Sequence, residues 1–178
     1  MLAYKAFRKD LTCMGYKYTT EGWNEEDEAN CVKNGMHCAE DPLDCLKYYP
    51  SFKDARYWLV EAAGDIDEDN TDSKISCTRM RLVRELDKQD FVLEALKYML
   101  KHEARQYTSK LNGIEIKHGT KVKAKAAVGT VLGLIEERNG KILAAGVTTV
   151  RTSKMTYCIE QGRIVEKEGE PHGEELGA

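Results

Sequence analysis

The sequence predicts an α+β fold: a mostly antiparallel sheet with one short and one long helix, ending in C-terminal β-hairpins. Three observations carry this. Apolar alternation marks strands over 2–8, 56–66 and 74–86. Behind Asp87 as a helix cap, Phe91, Val92, Ala95, Leu96, Met99 and Leu100 recur at spacings of three and four, which marks the long helix. Finally, Asn139-Gly140 and Gln161-Gly162 fall between alternating runs, where hairpin turns need positive φ angles.

Taken in order, 2–8 (LAYKAFR) is a strand with Leu2, Tyr4 and Ala6 on one side. Met14-Gly15 turns the chain into a second β run, 16–20, rich in Tyr and Thr. An acidic loop (21–28, EGWNEEDE) leads to a brief strand, 29–35 (ANCVKNG), ending at Gly35. Asp41 is placed as an N-cap with Pro42 at the first helical position, so a short helix runs to Tyr48 with Leu43, Leu46 and Tyr49 on its buried face. Pro50 stops it. The runs 56–66 and 74–86 flank an acidic loop and pair as an antiparallel hairpin, with a bulge where the alternation of the second breaks phase near Thr78. The long helix spans 88–111. Beyond Gly113, 122–137 pairs with 142–152 as one hairpin, and 155–168 forms another. The tail 169–178 has too little apolar surface to fold and reads as flexible. This divides the chain into an α+β body over 1–112, including the long helix, a small β-hairpin region over 113–168 within the same domain or beside it, and the tail.

With 178 residues, 42% apolar content and a net charge of −3, the chain can build a core without disulfides. It has no apolar run of membrane-spanning length, and its charged N-terminus is unlike a signal peptide. Six cysteines without an export signal are expected as reduced thiols in a cytoplasm. The charges are segregated: 21–72 holds fifteen acidic residues against four basic, and 97–125 holds eight basic against two acidic. Such opposed potentials steer association with charged partners. Trp23 beside Glu25, Glu26, Asp27 and Glu28 is the expected protein-binding surface. The alternative is a basic face, Lys101, Arg105, Lys121 and Lys123, that holds nucleic acid directly.

The stretch 33–50, KNGMHCAEDPLDCLKYYP, concentrates the reactive side chains. Cys13, Cys31, His37 and Cys38 are soft ligands of the kind zinc takes in tetrahedral sets, which makes a zinc-stabilised module one alternative. The spacing argues against it, since no Cys-x-x-Cys pair exists and adjacent residues on a strand face opposite ways. His37 is the weak catalytic candidate; Glu40, Asp41 and Asp44 disfavour a thiolate at Cys38. The plainer reading is that the cysteines are small buried apolar groups. No phosphate loop, dinucleotide glycine fingerprint, Gly-x-Ser-x-Gly or His-Glu-x-x-His is present, so neither cofactor nor metal is expected.

The segments YKAFRKDLTCMGYKY, KNGMHCAEDPLDCLKYY, RYWLVEAAGDI and KISCTRMRLVREL resemble an uncharacterised domain family of bacteriophage and prophage genomes. Its turn is represented by Asp10, Leu11, Cys13 and Gly15, and its central segment by Cys31, Gly35, His37, Pro42, Leu43 and Asp44; Met36 stands where an aromatic is usual. The resemblance implies a phage or mobile-element origin and no particular chemistry. The order of elements around His37 also resembles the amino-terminal half of ADP-ribosyltransferase folds, which would make the chain an NAD-using enzyme, although their Ser-Thr-Ser run is absent. The preferred expectation is a non-enzymatic, anti-CRISPR-like binding protein. It would engage a host protein or ribonucleoprotein and inhibit a nucleic-acid-handling or defence nuclease.

Overall fold

Alternation along the first residues becomes β1 (Leu2–Arg8), which turns Ala3, Lys5 and Phe7 to one buried face. The computed structural model describes residues 1–68, 72–102, 109–111 and 113–168. The chain forms two compact units, Met1–His102 and Glu103–Ala178. In the first, β1 is followed by three two-residue strands, β2 (Thr12–Cys13), β3 (Tyr16–Lys17) and β4 (Asn24–Glu25). Then come β5 (Met36–Ala39), a 3-10 helix (Pro42–Lys47), β6 (Ala55–Glu68), β7 (Lys74–Leu86) and α1 (Lys88–Lys101).

The expected hairpin of β6 and β7 pairs antiparallel from Tyr57↔Leu86 to Glu68↔Ile75. β1 lies on the other edge of β6, and β5 bridges β1 and β7, so the pairings β7–β5–β1–β6–β7 close on themselves. β4 extends β7 beyond β5. Closure leaves these strands few free edges and a narrow interior that side chains must fill. Ala3, Phe7, Met36, Cys38, Val60, Ala62, Ile75, Cys77, Met80 and Leu82 fill it.

Along β7, Ile75 and Cys77 point inward, and so do Met80 and Leu82, so the alternation slips by one at Thr78. The extra residues lie on the opposite strand. Ala63 pairs with Arg79 and Ile66 with Cys77, so Gly64 and Asp65 face Thr78 alone. Gly64 has φ +76, and the Thr78 hydroxyl accepts the Asp65 amide at 2.9 Å.

The short helix forms as capping predicts, with the Asp41 carboxylate accepting the Leu43 amide at 2.9 Å, but its hydrogen bonding is 3-10. In α1, the Asp87 carboxylate accepts the Asp90 amide at 2.8 Å. Phe91 is buried edge-on against Tyr57 and Phe52, with ring centres 4.9 and 5.2 Å away.

Three expectations need correction. The long helix ends at Lys101, and Ser109–Leu111 is a strand. His102 leaves the helical region at φ −130°, ψ 63°, and its amide and ring Nδ1 turn back onto the preceding turn. Leu100, expected in the buried stripe, is 46% exposed. Second, 29–35 is a turn: Val32 takes φ +77, and Asn30 and Asn34 pair with each other. Side-chain amides that satisfy the backbone locally displace a strand here. Third, the β run at 16–20 shrinks to Tyr16–Lys17, because Asn24 caps the amide of Thr19 at 2.8 Å.

The second unit contains β8 (Ser109–Leu111), β9 (Ile114–Gly119), β10 (Lys123–Ala124), β11 (Val131–Arg138), β12 (Lys141–Thr149), β13 (Met155–Glu160) and β14 (Arg163–Glu168). Both expected turns form, β11–β12 through Asn139 (φ +54) and Gly140 (φ +74), and β13–β14 through Gln161 and Gly162, but the arm expected over 122–137 pairs with β12 only from Val131, since Lys123 and Ala124 pair with β13 instead. The sheets run β12-β11-β9-β8 and β10-β13-β14. The sequence does not announce that β9 and β11 pair parallel. Leu132, Leu134, Val150, Tyr157 and Ile159 form the core of this unit. The tail expected over 169–178 lies outside the described residues. Among the described residues no helix is long and apolar enough to cross a membrane. The architecture is mostly antiparallel strands with few helical residues.

Candidate functional site

The loop 10–18, β5, the 3-10 helix and the start of β7 surround a cleft of about 460 Å³ in the first unit. Cys13, His37 and Cys38, far apart or awkwardly spaced in sequence, all line it; Cys31 does not. On β5 the two neighbours face opposite ways, with Cys38 in the strand ring and His37 half-buried outside it. His37 Nε2 accepts the amide of Val32 at 2.9 Å. That bond fixes the positive-φ turn to the strand and needs Nε2 unprotonated. The Cys31 amide donates to Asp67 at 2.7 Å, and its thiol contacts the Lys74 carbonyl at 3.7 Å.

All six cysteines are free thiols. The Cys77 thiol donates to the Met36 carbonyl at 3.4 Å. A hydrogen bond to Cys77, together with burial, pushes the Cys38 thiol well above its ordinary range, while the same contact holds Cys77 below it. Burial pushes Cys45 up to about 12. Neutral thiols are poor nucleophiles and poor ligands. Among the described residues no three His, Cys, Asp or Glu side chains are arranged to hold a metal ion.

Two residues that spacing arguments did not single out complete the cleft. Lys5 is only 4% exposed, and its Nζ donates to the His37 carbonyl at 2.5 Å and contacts Cys13 Sγ at 3.7 Å. Tyr49 donates its hydroxyl to the same sulfur at 3.4 Å. A signal for Lys5 existed: it lies in phase with Ala3 and Phe7, so an inward β1 necessarily carries a lysine inward.

The acidic loop is placed differently. Trp23 lies under Arg79 and Arg81, whose guanidinium carbons are 4.6 and 5.3 Å from its ring centre. Glu25, in β4, pairs with Arg79 at 3.0 Å, and Glu28 accepts from the side chains of Asn30 and Asn34. Thr78 joins two acidic segments: its carbonyl accepts the Glu26 amide at 2.9 Å, and its hydroxyl accepts the Asp65 amide. Asp67 is tied back to Cys31 in the same region. Glu26, Asp27, Asp65 and Glu68 are exposed and have no ion pair among the described residues.

The basic residues belong to both units. Lys101 ends α1 in the first unit, Lys121 and Lys123 are exposed around β10 in the second, and Arg105 lies outside the described residues. Within 97–125, Lys97 and Lys117 are already paired with Glu94 and Glu115.

A family model described as a domain of unknown function, DUF7666, matches residues 1–94. That span ends within α1 and covers nearly all of the first unit. Comparison with curated proteins and with solved structures gives no match.

Proposed function

The chain belongs to the DUF7666 family, and we propose that it is a non-enzymatic binding protein whose acidic surface occupies a basic groove on a partner. The observation that supports this reading is the meeting of two acidic segments at Thr78. Glu26 and Asp27 from one, with Asp65 and Glu68 from the other, project exposed carboxylates that no internal cation neutralises among the described residues. Unpaired like charges gathered on one surface cost stability and speed encounter with an oppositely charged surface. The groove in which a nuclease holds nucleic acid has the matching sign. A phage or mobile-element protein that inhibits a host defence nuclease in the bacterial cytoplasm fits this description.

The test is an association rate measured on the partner recovered from a bacterial lysate. The triple variant Glu26→Lys, Asp27→Lys, Glu68→Lys removes only unpaired carboxylates, so the fold keeps its ion pairs. Association should slow by about tenfold or more at low salt and lose most of its salt dependence. Unchanged association, with loss on reversing Lys101, Lys121 and Lys123 instead, overturns the reading and moves the interface to the basic residues.

A further inference from the structure

Lys5 presents an unusual electrostatic situation. The residue is only 4% exposed, inside a strand ring otherwise filled by apolar side chains and thiols. Two of its three N–H donors are accounted for, by the His37 carbonyl and Cys13 Sγ, and the Phe7 and Tyr18 ring centres lie 5.3 and 5.1 Å away. These are dipoles and quadrupoles, and none cancels a unit charge. Among the described residues no carboxylate is within ion-pair distance of it. Among the neighbouring thiols, Cys38 and Cys45 are held neutral by burial and their neighbours, and the Cys77 thiol donates a hydrogen bond to the Met36 carbonyl. Buried charges in proteins are ordinarily paired.

The same lysine lines the cleft, whose volume of about 460 Å³ falls in the range of small-molecule sites, roughly 300–1,000 Å³. Its walls, from Ala6, Ala39, Cys45 and the ring of Tyr48, are largely apolar. Lys74 stands at the same cleft, 3.2 Å from the Tyr48 hydroxyl. Asp44 also borders the cleft, but its carboxylate is taken up by Lys47 and Ser73, so among the described residues no carboxylate answers the buried ammonium, and the apolar chamber is complementary to one kind of small molecule.

We propose that this cleft binds a small organic acid, its apolar body against the Ala6, Ala39 and Tyr48 walls and its anionic group against Lys5 Nζ. The site is separate from the acidic surface, so the two readings stand or fall independently.

The experiment uses the full chain and two fluorescent probes. One is 8-anilinonaphthalene-1-sulfonate, an apolar anion; the other is N-phenyl-1-naphthylamine, the same ring system without the sulfonate. The anion should saturate at one per chain and be displaced by octanoate but not by octanol. Lys5→Met keeps the length of the side chain and removes the charge; it should weaken the anion by about tenfold or more and the neutral probe by less than about twofold. Cys13→Trp retains Lys5 but narrows the cleft, and should weaken binding of both probes. This second variant decides the matter even if Lys5→Met fails to fold, as judged by near-ultraviolet circular dichroism. The proposal is overturned by non-saturating binding, by equal anion affinity in a folded Lys5→Met, or by undiminished binding in Cys13→Trp.

Discussion

Gly64 and Thr78 allow a quantitative test of the bulge that organises the first unit. A Cβ added at Gly64 would lie 2.1 Å from Thr78 Oγ1 and 3.3 Å from Arg79 Cγ, in a residue held at φ +76. An L-residue in that left-handed region costs about 1–2 kcal/mol. The Thr78 hydroxyl must also swing away, giving up the Asp65 amide. That amide is on an exposed residue and can turn to water, so the loss is about 1 kcal/mol. Gly64→Ala should therefore destabilise the first unit by about 2–3 kcal/mol. The chain's only tryptophans, Trp23 and Trp58, both lie in this unit, so their fluorescence during urea unfolding reports on it alone. With a slope of about 1.5 kcal/mol per molar urea, the midpoint should fall by roughly 1.3–2 M. Thr78→Ala removes the obstructing oxygen and separates the two contributions. In the double variant the clash is gone, so its cost should undershoot the sum of the single variants by about 1 kcal/mol. Additivity within about 0.5 kcal/mol would show that the two residues do not interact as described, and would refute the reasoning.

Two further outcomes follow from named hydrogen bonds. Burial pushes the Asp44 carboxyl up, but the Ser73 hydroxyl and amide (2.6 and 3.1 Å) and Lys47 (2.9 Å) more than offset this and leave it below the usual carboxylate range. A lowered folded-state value contributes stability that is fully present above the unfolded value, near pH 4, and is lost as pH falls through the folded one. Urea midpoints should thus decline more steeply below about pH 4 in the wild type than in Asp44→Asn, and parallel acid limbs would contradict this. His37→Ala removes the acceptor of the Val32 amide in a partly exposed turn; thermal or urea unfolding should register a loss of about 0.5–1.5 kcal/mol. A loss above about 3 kcal/mol would mean that the histidine ring carries a buried interaction beyond this bond.

Where local chemistry decides the structure, the sequence was readable. Asp41-Pro42, Asp87, Asn139-Gly140 and the alternation along 74–86 each specify a cap, a turn or a strand within a few residues, and each is found where those residues place it. What escaped depends on residues far apart in the chain. The closure of β5 between β1 and β7 and the parallel pairing of β9 with β11 leave no local mark. The apolar residues of 29–35 suggest a strand, but Asn30, Asn34 and His37 satisfy the backbone as a turn. The cleft followed the same division. His37, Cys13 and Cys38 stood out as reactive residue types, but their meeting with Lys5 and Tyr49 needs the ring to close.

The break of phase at Thr78 connects these levels. A strand with strict alternation along 74–86 would present one inward and one outward row throughout. Slipping by one residue lets Ile75, Cys77, Met80 and Leu82 all face the narrow core while Arg79 and Arg81 remain outside to cover Trp23. The slip leaves Thr78 with a carbonyl and a hydroxyl directed at two different segments, and both of those segments are acidic. Packing alone would be met by any small residue opposite Gly64. A hydroxyl there also fixes where Asp65 leaves the strand, and the carbonyl fixes Glu26, so the spacing of the exposed carboxylates is set by the residue that accommodates the bulge. The surface proposed to meet a partner is in this sense a consequence of how the ring is closed.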